Sequence, residues 1–168
     1  MQIPTNHTYL SKTLRNRREK LAKLIDFPTI LWSGSSSSRN FPANTFPFRP
    51  SSHFLYFAGL PIEDAAIRLE GGKLELFMDN LSPSNLLWHG EIPTRDRLAE
   101  IIGADAAFPI KELKDYAANA ATIYVQNPTT KITQCQILNR DIFPSKKHQK
   151  IDLELTKAII SLRPMPYP

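Results

Sequence analysis

The sequence predicts a single domain of the α/β class. Its 168 residues are 42% apolar, which is enough for one hydrophobic core and too little for two large domains. Segments with a helical spacing of apolar residues alternate with short apolar runs that are typical of buried strands. The pair Gly71-Gly72 separates two extended segments and favours the tight turn of a β-hairpin.

The N-terminal segment predicts an amphipathic helix. After Leu10, apolar residues recur at three-, four- and seven-residue steps, and charged residues fill most of the opposite face. We expect the basic residues between Arg15 and Lys20 to be solvated, and Phe27-Pro28 to end the helix. The apolar positions are Leu14, Leu21, Leu24 and Ile25.

The next segments predict a strand, a loop and a hairpin. The run from Thr29 to Trp32 is typical of a short buried strand. Gly34 and the four serines after it predict a mobile loop. Two antiparallel strands are then expected at residues 65–70 and 73–79, on either side of the double glycine.

The C-terminal half continues the alternation. Thr94 is a candidate N-cap for a helix that Gly103 ends. Three prolines after residue 163 cannot continue a helix. We therefore assign residues 1–150 to the domain and residues 151–168 to the start of a linker. The further elements expected here are a strand at 106–108, a helix at 111–121, a strand at 122–125 and a helix at 151–162.

The aromatic stretch FPFRPSSHFLYFAGLP, Phe46–Pro61, has two interpretations, a catalytic loop or a piece of scaffold. Buried aromatic side chains cover about 150–250 Å² each and ordinarily dominate a core or an interface. A serine nucleophile would require a G-x-S-x-G turn, which this stretch lacks. We interpret it as scaffold, in which Ser51 or Ser52 caps a short helix. Arg49 would bind carbonyl groups or a carboxylate of the pair Glu63-Asp64.

Charge and cysteine content limit the classes of partner. The net charge is +5, but much of the surplus lies in one N-terminal run and gives only weak support for a nucleic-acid partner. The single cysteine, Cys135, rules out an internal disulfide, and no apolar run approaches the roughly 20 residues that span a bilayer. The first residues lack the apolar core of a signal peptide, so we expect a cytoplasmic protein without membrane contact.

The metal-ligating residue types do not form a local site. A lone histidine is more often a hydrogen-bonded or surface residue than a ligand, and Cys135 between two glutamines is typical of an inert thiol. We therefore predict no catalytic, metal or cofactor site in this chain. The four scattered histidines are His7, His53, His89 and His148.

A series of short motifs occurs in a distinctive order. It resembles the pattern R-R-x-x-L, F-R-x-x-S-x-F-x-Y-L-T-G, L-F, W-x-G and G-A-D of the N-terminal domain of aminopeptidase P. That family comprises Xaa-Pro aminopeptidases related to prolidase and creatinase. The resemblance covers about residues 17–125, with Phe57-Ala58 in place of the usual Leu-Thr. The matching pieces are Arg17-Arg18, Leu21 and Leu24, Phe48-Arg49, Phe54–Gly59, Leu76-Phe77, Leu87–Gly90 and Gly103–Asp105.

The resemblance implies a ribonuclease H-like, three-layer fold with a mixed five-stranded sheet and helices on both faces. It also implies roles for two groups of residues. Trp88 could anchor a turn or present its ring to a partner. The resemblance favours the second, with Trp88, His89 and Gly90 lining a substrate entrance or an interface. The residues of the structural motif are Arg49, Phe54, Tyr56 and Gly59.

The resemblance further implies a non-catalytic role. In the family, a C-terminal pita-bread domain holds two divalent ions, usually manganese, and cleaves the bond between an N-terminal residue and proline. None of that domain is present in these residues. We expect a chain that does not cleave peptides by itself, contributes to homo-oligomers and meets the peptide only indirectly. A freestanding binding or regulatory module is the alternative, and a nucleic-acid module that uses the basic helix is a third, weaker one.

Overall fold

The structure is a computed structural model that describes residues 7–41, 44–82, 93–140 and 146–163. Its helices and strands alternate along the chain. The helices are α1 (His7–Ala22), α2 (Ser52–Ala58), α3 (Arg95–Ile102), α4 (Pro128–Leu138) and α5 (Lys146–Leu162), and a 3-10 helix covers Ile110–Tyr116. The strands are β1 (Thr29–Trp32), β2 (Ala66–Glu70), β3 (Lys73–Phe77), β4 (Ala106–Phe108) and β5 (Ala121–Thr122).

The strands form one mixed five-stranded sheet in the order β4-β3-β2-β1-β5. Strands β1, β2 and β3 pair antiparallel, while β4 and β5 each add to an edge in parallel. The β2–β3 hairpin turns at Gly71 and Gly72, whose φ angles of 57° and 81° suit glycine. The predicted mixed sheet and the predicted hairpin are confirmed.

Helices cover both faces of the sheet. On one face, side chains of α1, α2, α3 and α5 share a core with β1, β2 and β3. On the other face, Ile30, Trp32 and Phe77 pack with Leu113 of the 3-10 helix and with side chains of α4. Successive side chains of β1 enter the two cores alternately, because side chains along a strand alternate between the two faces of the sheet. This three-layer arrangement confirms the predicted fold class.

Several element predictions need correction. The predicted helix at 111–121 is a 3-10 helix that ends at Tyr116. The predicted strand at 122–125 is the two-residue strand β5, which begins one residue earlier and shares only Thr122 with the predicted range. Helix α4 had no counterpart in the prediction. Helix α5 begins at Lys146 and runs continuously across residue 150, and its Leu155 and Ile159 are fully buried in the core.

The serine segment after β1 is attached to its neighbours. The Ser36 amide donates to Glu63 Oε1 at 2.6 Å, and the Ser35 hydroxyl donates to Asp64. Asn127 also donates from Nδ2 to the Ser35 carbonyl at 3.3 Å. The prediction of a mobile loop did not anticipate these hydrogen bonds. Glu63 and Asp64 bind this loop and, contrary to the prediction, do not bind Arg49. Arg49 is exposed and forms no hydrogen bond or ion pair with another described residue.

Within the described ranges, no helix has the length and apolar character that crossing a bilayer requires.

Candidate functional site at the junction of α1, α2 and α5

The structure places part of the predicted site on α2. Trp88, His89 and Gly90 lie outside the described residues. Phe54 and Tyr56 lie on α2, Gly59 ends it, and Arg49 precedes it in an exposed position. The structural motif is therefore a short helix together with its flanking turns.

Local signals explain why this helix forms. The Ser51 hydroxyl accepts a hydrogen bond from the Phe54 amide at 3.3 Å and donates to the Trp32 carbonyl at 2.6 Å. Of the two predicted caps, Ser51 is thus the one used. Gly59 ends the helix at φ 71°, and a Cβ at this position would lie 3.0 Å from Leu10 Cδ1. Glycine permits both the left-handed turn and the close approach of α2 to α1.

The two sides of α2 have different environments. Phe54 and Phe57 are fully buried in the core, whereas the Tyr56 ring meets Phe57 edge-on at 4.9 Å between centroids and is only partly buried. The Tyr56 ring therefore lies at the border between the core and the surface. Here α1 and the end of α5 approach α2.

Tyr56 joins three helices through its backbone, ring and hydroxyl. Arg17 of α1 donates from Nη1 to the Tyr56 carbonyl at 2.7 Å, and its guanidinium carbon lies 4.4 Å from the Tyr56 ring centroid. The Tyr56 hydroxyl donates to the carbonyl of Leu162 at 3.1 Å, in the last turn of α5. Arg163 places its guanidinium carbon 5.3 Å from the same ring centroid. We call Arg17, Ser52, His53, Tyr56, Leu162 and Arg163 the Tyr56 junction.

Arg163 also binds the first turn of α2. Its Nη2 donates to the Ser52 carbonyl at 2.7 Å, and its Nη1 lies 3.4 Å from the Ser52 hydroxyl. The same Nη2 lies 3.3 Å from Nδ1 of His53. Burial lowers the pKa of His53 below its ordinary value, and the positive charge of Arg163 lowers it further. The junction therefore favours neutral His53.

The Tyr56 junction is rich in basic groups. No carboxylate of a described residue forms a hydrogen bond or ion pair with Arg17, His53 or Arg163. Among the described residues, no cluster of three or more His, Cys, Asp or Glu is arranged to hold a metal ion. The contacts are of the kind that fix one backbone segment on another. We therefore regard the junction as a positioning site for the end of α5.

A second contact joins two of the motifs from the sequence. The Arg18 side chain is only 1% exposed, donates from Nη2 to the Gly103 carbonyl at 2.6 Å and lies 3.8 Å from Asp105 Oδ2. Burial lowers the pKa of Arg18, and the nearby Asp105 carboxylate opposes this. At Gly103, φ is 66° and a Cβ would lie 2.9 Å from Ser11 Cβ. The R-R-x-x-L and G-A-D motifs thus meet where α1 crosses the end of α3.

The prediction of a solvated basic face is wrong for Arg17 and Arg18. Arg18 is buried and Arg17 is half-buried, and both guanidinium groups donate to backbone carbonyls of the domain, which makes them less available to a nucleic acid. Helical spacing alone treats an arginine as a surface residue, since its tertiary partners are distant in sequence. The paired arginines of the R-R-x-x-L motif were the signal that could have identified them.

Comparison with known proteins identifies the family of this domain. The family model "Aminopeptidase P, N-terminal domain" matches residues 14–126, which is more than half of the chain. The chain belongs to the aminopeptidase P N-terminal domain family. The motifs that carried the resemblance lie within or beside this matched range.

Individual relatives are much longer than this chain. The mitochondrial intermediate cleaving peptidase 55 of Arabidopsis thaliana is 29% identical over 102 residues, which are 59% of this chain and 20% of that protein. Aminopeptidase PepP of Pseudomonas aeruginosa matches with a TM-score of 0.65 and 24% identity, over 77% of this chain and 32% of that one. Escherichia coli aminopeptidase P with the inhibitor Pro-Leu matches with a TM-score of 0.64 and 17% identity, over 77% and 31%. At these identities the solved structures show the shared fold, and this chain spans about a third of their length.

Proposed function

We propose that this chain is the non-catalytic N-terminal domain of an Xaa-Pro aminopeptidase, a metallopeptidase that removes an N-terminal residue preceding proline. The observation that carries this proposal is that the fold matches about a third of the length of a solved aminopeptidase, together with the chain's membership of the aminopeptidase P N-terminal domain family. In a longer protein, the domain would support a catalytic part of pita-bread fold.

The Tyr56 junction gives this role a structural basis. The carbonyl of Leu162 and the side chain of Arg163 are bound to α2, so these two residues hold a defined position on the domain. Contacts from three helices hold this point, which limits its movement relative to the core. A catalytic part that follows would inherit its orientation from the junction.

The two divalent ions, which we propose to be manganese, would belong to that catalytic part. Two such ions activate a water molecule and stabilise the charge that develops on the peptide carbonyl. Such a centre needs several carboxylate and imidazole ligands in one place, and the described residues contain no such group. No residue of this chain is therefore proposed as a metal ligand.

We also propose that the domain contributes to a homo-oligomer and to the route by which peptides reach a neighbouring active site. Trp88, His89 and Gly90 are the candidates for this surface, on the basis of the W-x-G motif. An indole ring suits an entrance because aromatic side chains are favoured at contact surfaces. The cytoplasmic location stays a prediction, and the Arabidopsis relative is mitochondrial by its name.

The test compares two proteins from the same reading frame, the 168-residue chain and the longest product that contains it. With manganese and a peptide of the type Xaa-Pro-Xaa, we expect hydrolysis by the longer product and none by the shorter. Hydrolysis by the 168-residue chain alone would contradict a non-catalytic role. A reading frame that ends at Pro168 would instead favour the freestanding module.

The entrance role has a separate test in the longer product. Trp88→Ala should raise KM for a long peptide more than for a tripeptide and leave kcat nearly unchanged, because an entrance contacts only the longer substrate. Tyr124→Ala is the matched control, since Tyr124 is another aromatic residue and is 54% exposed. An equal change of KM for both peptides, or the same effect in the control, would count against the entrance.

A further inference from the structure

We propose that His53 and Arg163 form a pH-sensitive latch, which holds the last turn of α5 on α2 while His53 is neutral and releases it when His53 is protonated. The latch would act in this chain itself, whether or not the proposed peptidase exists. Its consequence in a longer protein would be a pH-dependent attachment of whatever follows Arg163.

Hydrogen-bond chemistry sets the protonation state of the closed latch. Arg163 Nη2 lies 3.3 Å from His53 Nδ1, and a guanidinium group can only donate. The His53 Nδ1 atom must therefore accept, and its proton has to lie on Nε2. Protonation places an N–H on Nδ1, so that two donors and two positive charges face each other. The contact that holds the neutral ring then becomes repulsive.

The surroundings offer His53 little to neutralise a second charge. Arg163 approaches from the end of α5, and Arg17 of α1 lies over the ring of Tyr56, one turn further along α2. Among the described residues, no carboxylate forms a hydrogen bond or ion pair with Arg17, His53 or Arg163. Protonated His53 would thus be a third cation at a junction without a counter-ion.

The remaining contacts at this point can be opened locally. The same Nη2 that meets His53 also donates to the Ser52 carbonyl at 2.7 Å, so displacement of the Arg163 side chain breaks both bonds. Among the hydrogen bonds of the described residues, the one from the Tyr56 hydroxyl to the Leu162 carbonyl then still joins α2 to the last turn of α5, and the Leu162 side chain packs against the core. Helix ends open more readily than helix centres, because their backbone groups have fewer partners.

The direction of the pH response follows from linkage. Burial and the Arg163 charge lower the pKa of His53 in the closed state, while opening returns it to an ordinary value of about 6.5. The open state therefore binds more protons. The latch is fully stable above about pH 6.5 and loses stability as the pH falls below that value.

The experiment is amide hydrogen exchange by NMR on the 168-residue chain, between pH 7.5 and 5.5 and corrected for the intrinsic rate. The amides at Ser161, Leu162 and Arg163 report on the latch, and those of α3 report on global unfolding. At the end of α5 we expect a difference in protection of up to about tenfold between pH 7.5 and pH 5.5, as one proton taken up only by the open state implies. Global unfolding also frees His53, so the α3 amides serve to show that the end of α5 opens separately, by its lower protection. His53→Gln should remove the difference between the two pH values, and His7→Gln, which deletes a histidine elsewhere, should retain it.

Two results would overturn the latch. The first is an equal pH response of these amides in His53→Gln and in the unaltered chain. The second is a direct titration of the unaltered chain, by imidazole chemical shifts, in which His53 shows an ordinary or raised pKa. This titration does not depend on the folding of any variant. Neither result bears on peptide hydrolysis, so failure of the latch and failure of the proposed function are distinguishable.

Discussion

The two ends of α5 are attached to the domain by different chemistry. Near its start, Asp152 forms a bidentate pair with Arg140, with Nη1–Oδ2 at 2.9 Å and Nη2–Oδ1 at 2.8 Å. The same Oδ1 accepts the Thr122 amide of β5 at 2.8 Å. At the other end, Arg163 and Leu162 meet a carbonyl, a neutral imidazole and the Tyr56 phenol.

The difference indicates which attachment of this helix is the firmer one and which one the proposed latch can release. In the first attachment, opposite charges neutralise each other, the side chains are 8% and 18% exposed, and Asp152 also satisfies a backbone amide at the sheet edge. In the second attachment, the cationic side chains contact an aromatic ring and uncharged hydrogen-bond acceptors. Each of these contacts is weak by itself. A charge-paired start and a cation-rich end give one helix a firm and a releasable attachment.

The largest expected effect comes from removing the carboxylate at the start of α5. Asp152→Ala leaves the Arg140 guanidinium buried without its partner and leaves the Thr122 amide without its acceptor. Losing one partner of a buried pair costs about 3–5 kcal/mol. We expect a decrease of that size in the free energy of unfolding, measured by urea denaturation.

Glu154→Ala is the control on the same helix. Glu154 Oε1 lies 3.9 Å from Lys150 Nζ, and the two side chains are 47% and 79% exposed, respectively. Removal of the Glu154 carboxylate should therefore lower the free energy of unfolding by less than about 0.5 kcal/mol. If the Asp152 and Glu154 variants lose the same small amount, then the start of α5 is not the firm attachment described above.

The middle effect is expected at the ring of Tyr56. Tyr56→Phe removes the hydrogen bond to the Leu162 carbonyl and should cost about 1 kcal/mol. Tyr56→Leu also removes the aromatic face under Arg17 and Arg163, and should cost about 2 kcal/mol in total. Urea denaturation of both variants gives the contribution of the ring as a difference. Equal losses would assign the whole effect to the hydroxyl.

Local signals made parts of the fold predictable. The hairpin at Gly71-Gly72 and the helix between Thr94 and Gly103 were foreseen because each depends on residues that are adjacent in sequence. The Thr94 hydroxyl does accept the Arg97 amide, at 3.3 Å, as a cap should. Turn and cap chemistry can thus be recognised without knowledge of the tertiary structure.

Helix α4 was missed because its two buried side chains are polar. Thr130 and Gln134 are buried, and Gln134 accepts from the Val125 amide at 3.1 Å and donates to the Ile123 carbonyl at 3.2 Å. A search for an apolar stripe cannot find such a helix. The pair Asn127-Pro128 was the available signal, since Asn127 Oδ1 caps the helix and proline suits its first turn.

The candidate site was predictable only in part. Tyr56 was assigned to a structural motif, but its partners Arg17 and Leu162 lie 39 and 106 residues away in sequence. Sequence spacing gives no information about contacts at such separations, because they depend on how α1 and α5 pack on the sheet. The resemblance to a family supplied the motif residues, and the structure supplied the partners.

The smallest expected effect concerns the fork of Arg163. Arg163→Lys keeps a cation near Tyr56 but cannot reach the Ser52 carbonyl and the His53 ring with two separately directed N–H groups, as a planar guanidinium does. We expect urea denaturation to show a loss of about 0.5–1 kcal/mol, the value of one net hydrogen bond. Arg97→Lys, in an exposed pair with Glu100, is the control and should change stability by less than that. A loss at Arg163 as large as that of Asp152→Ala would mean that both ends of α5 are firm attachments, and the contrast between them would not hold.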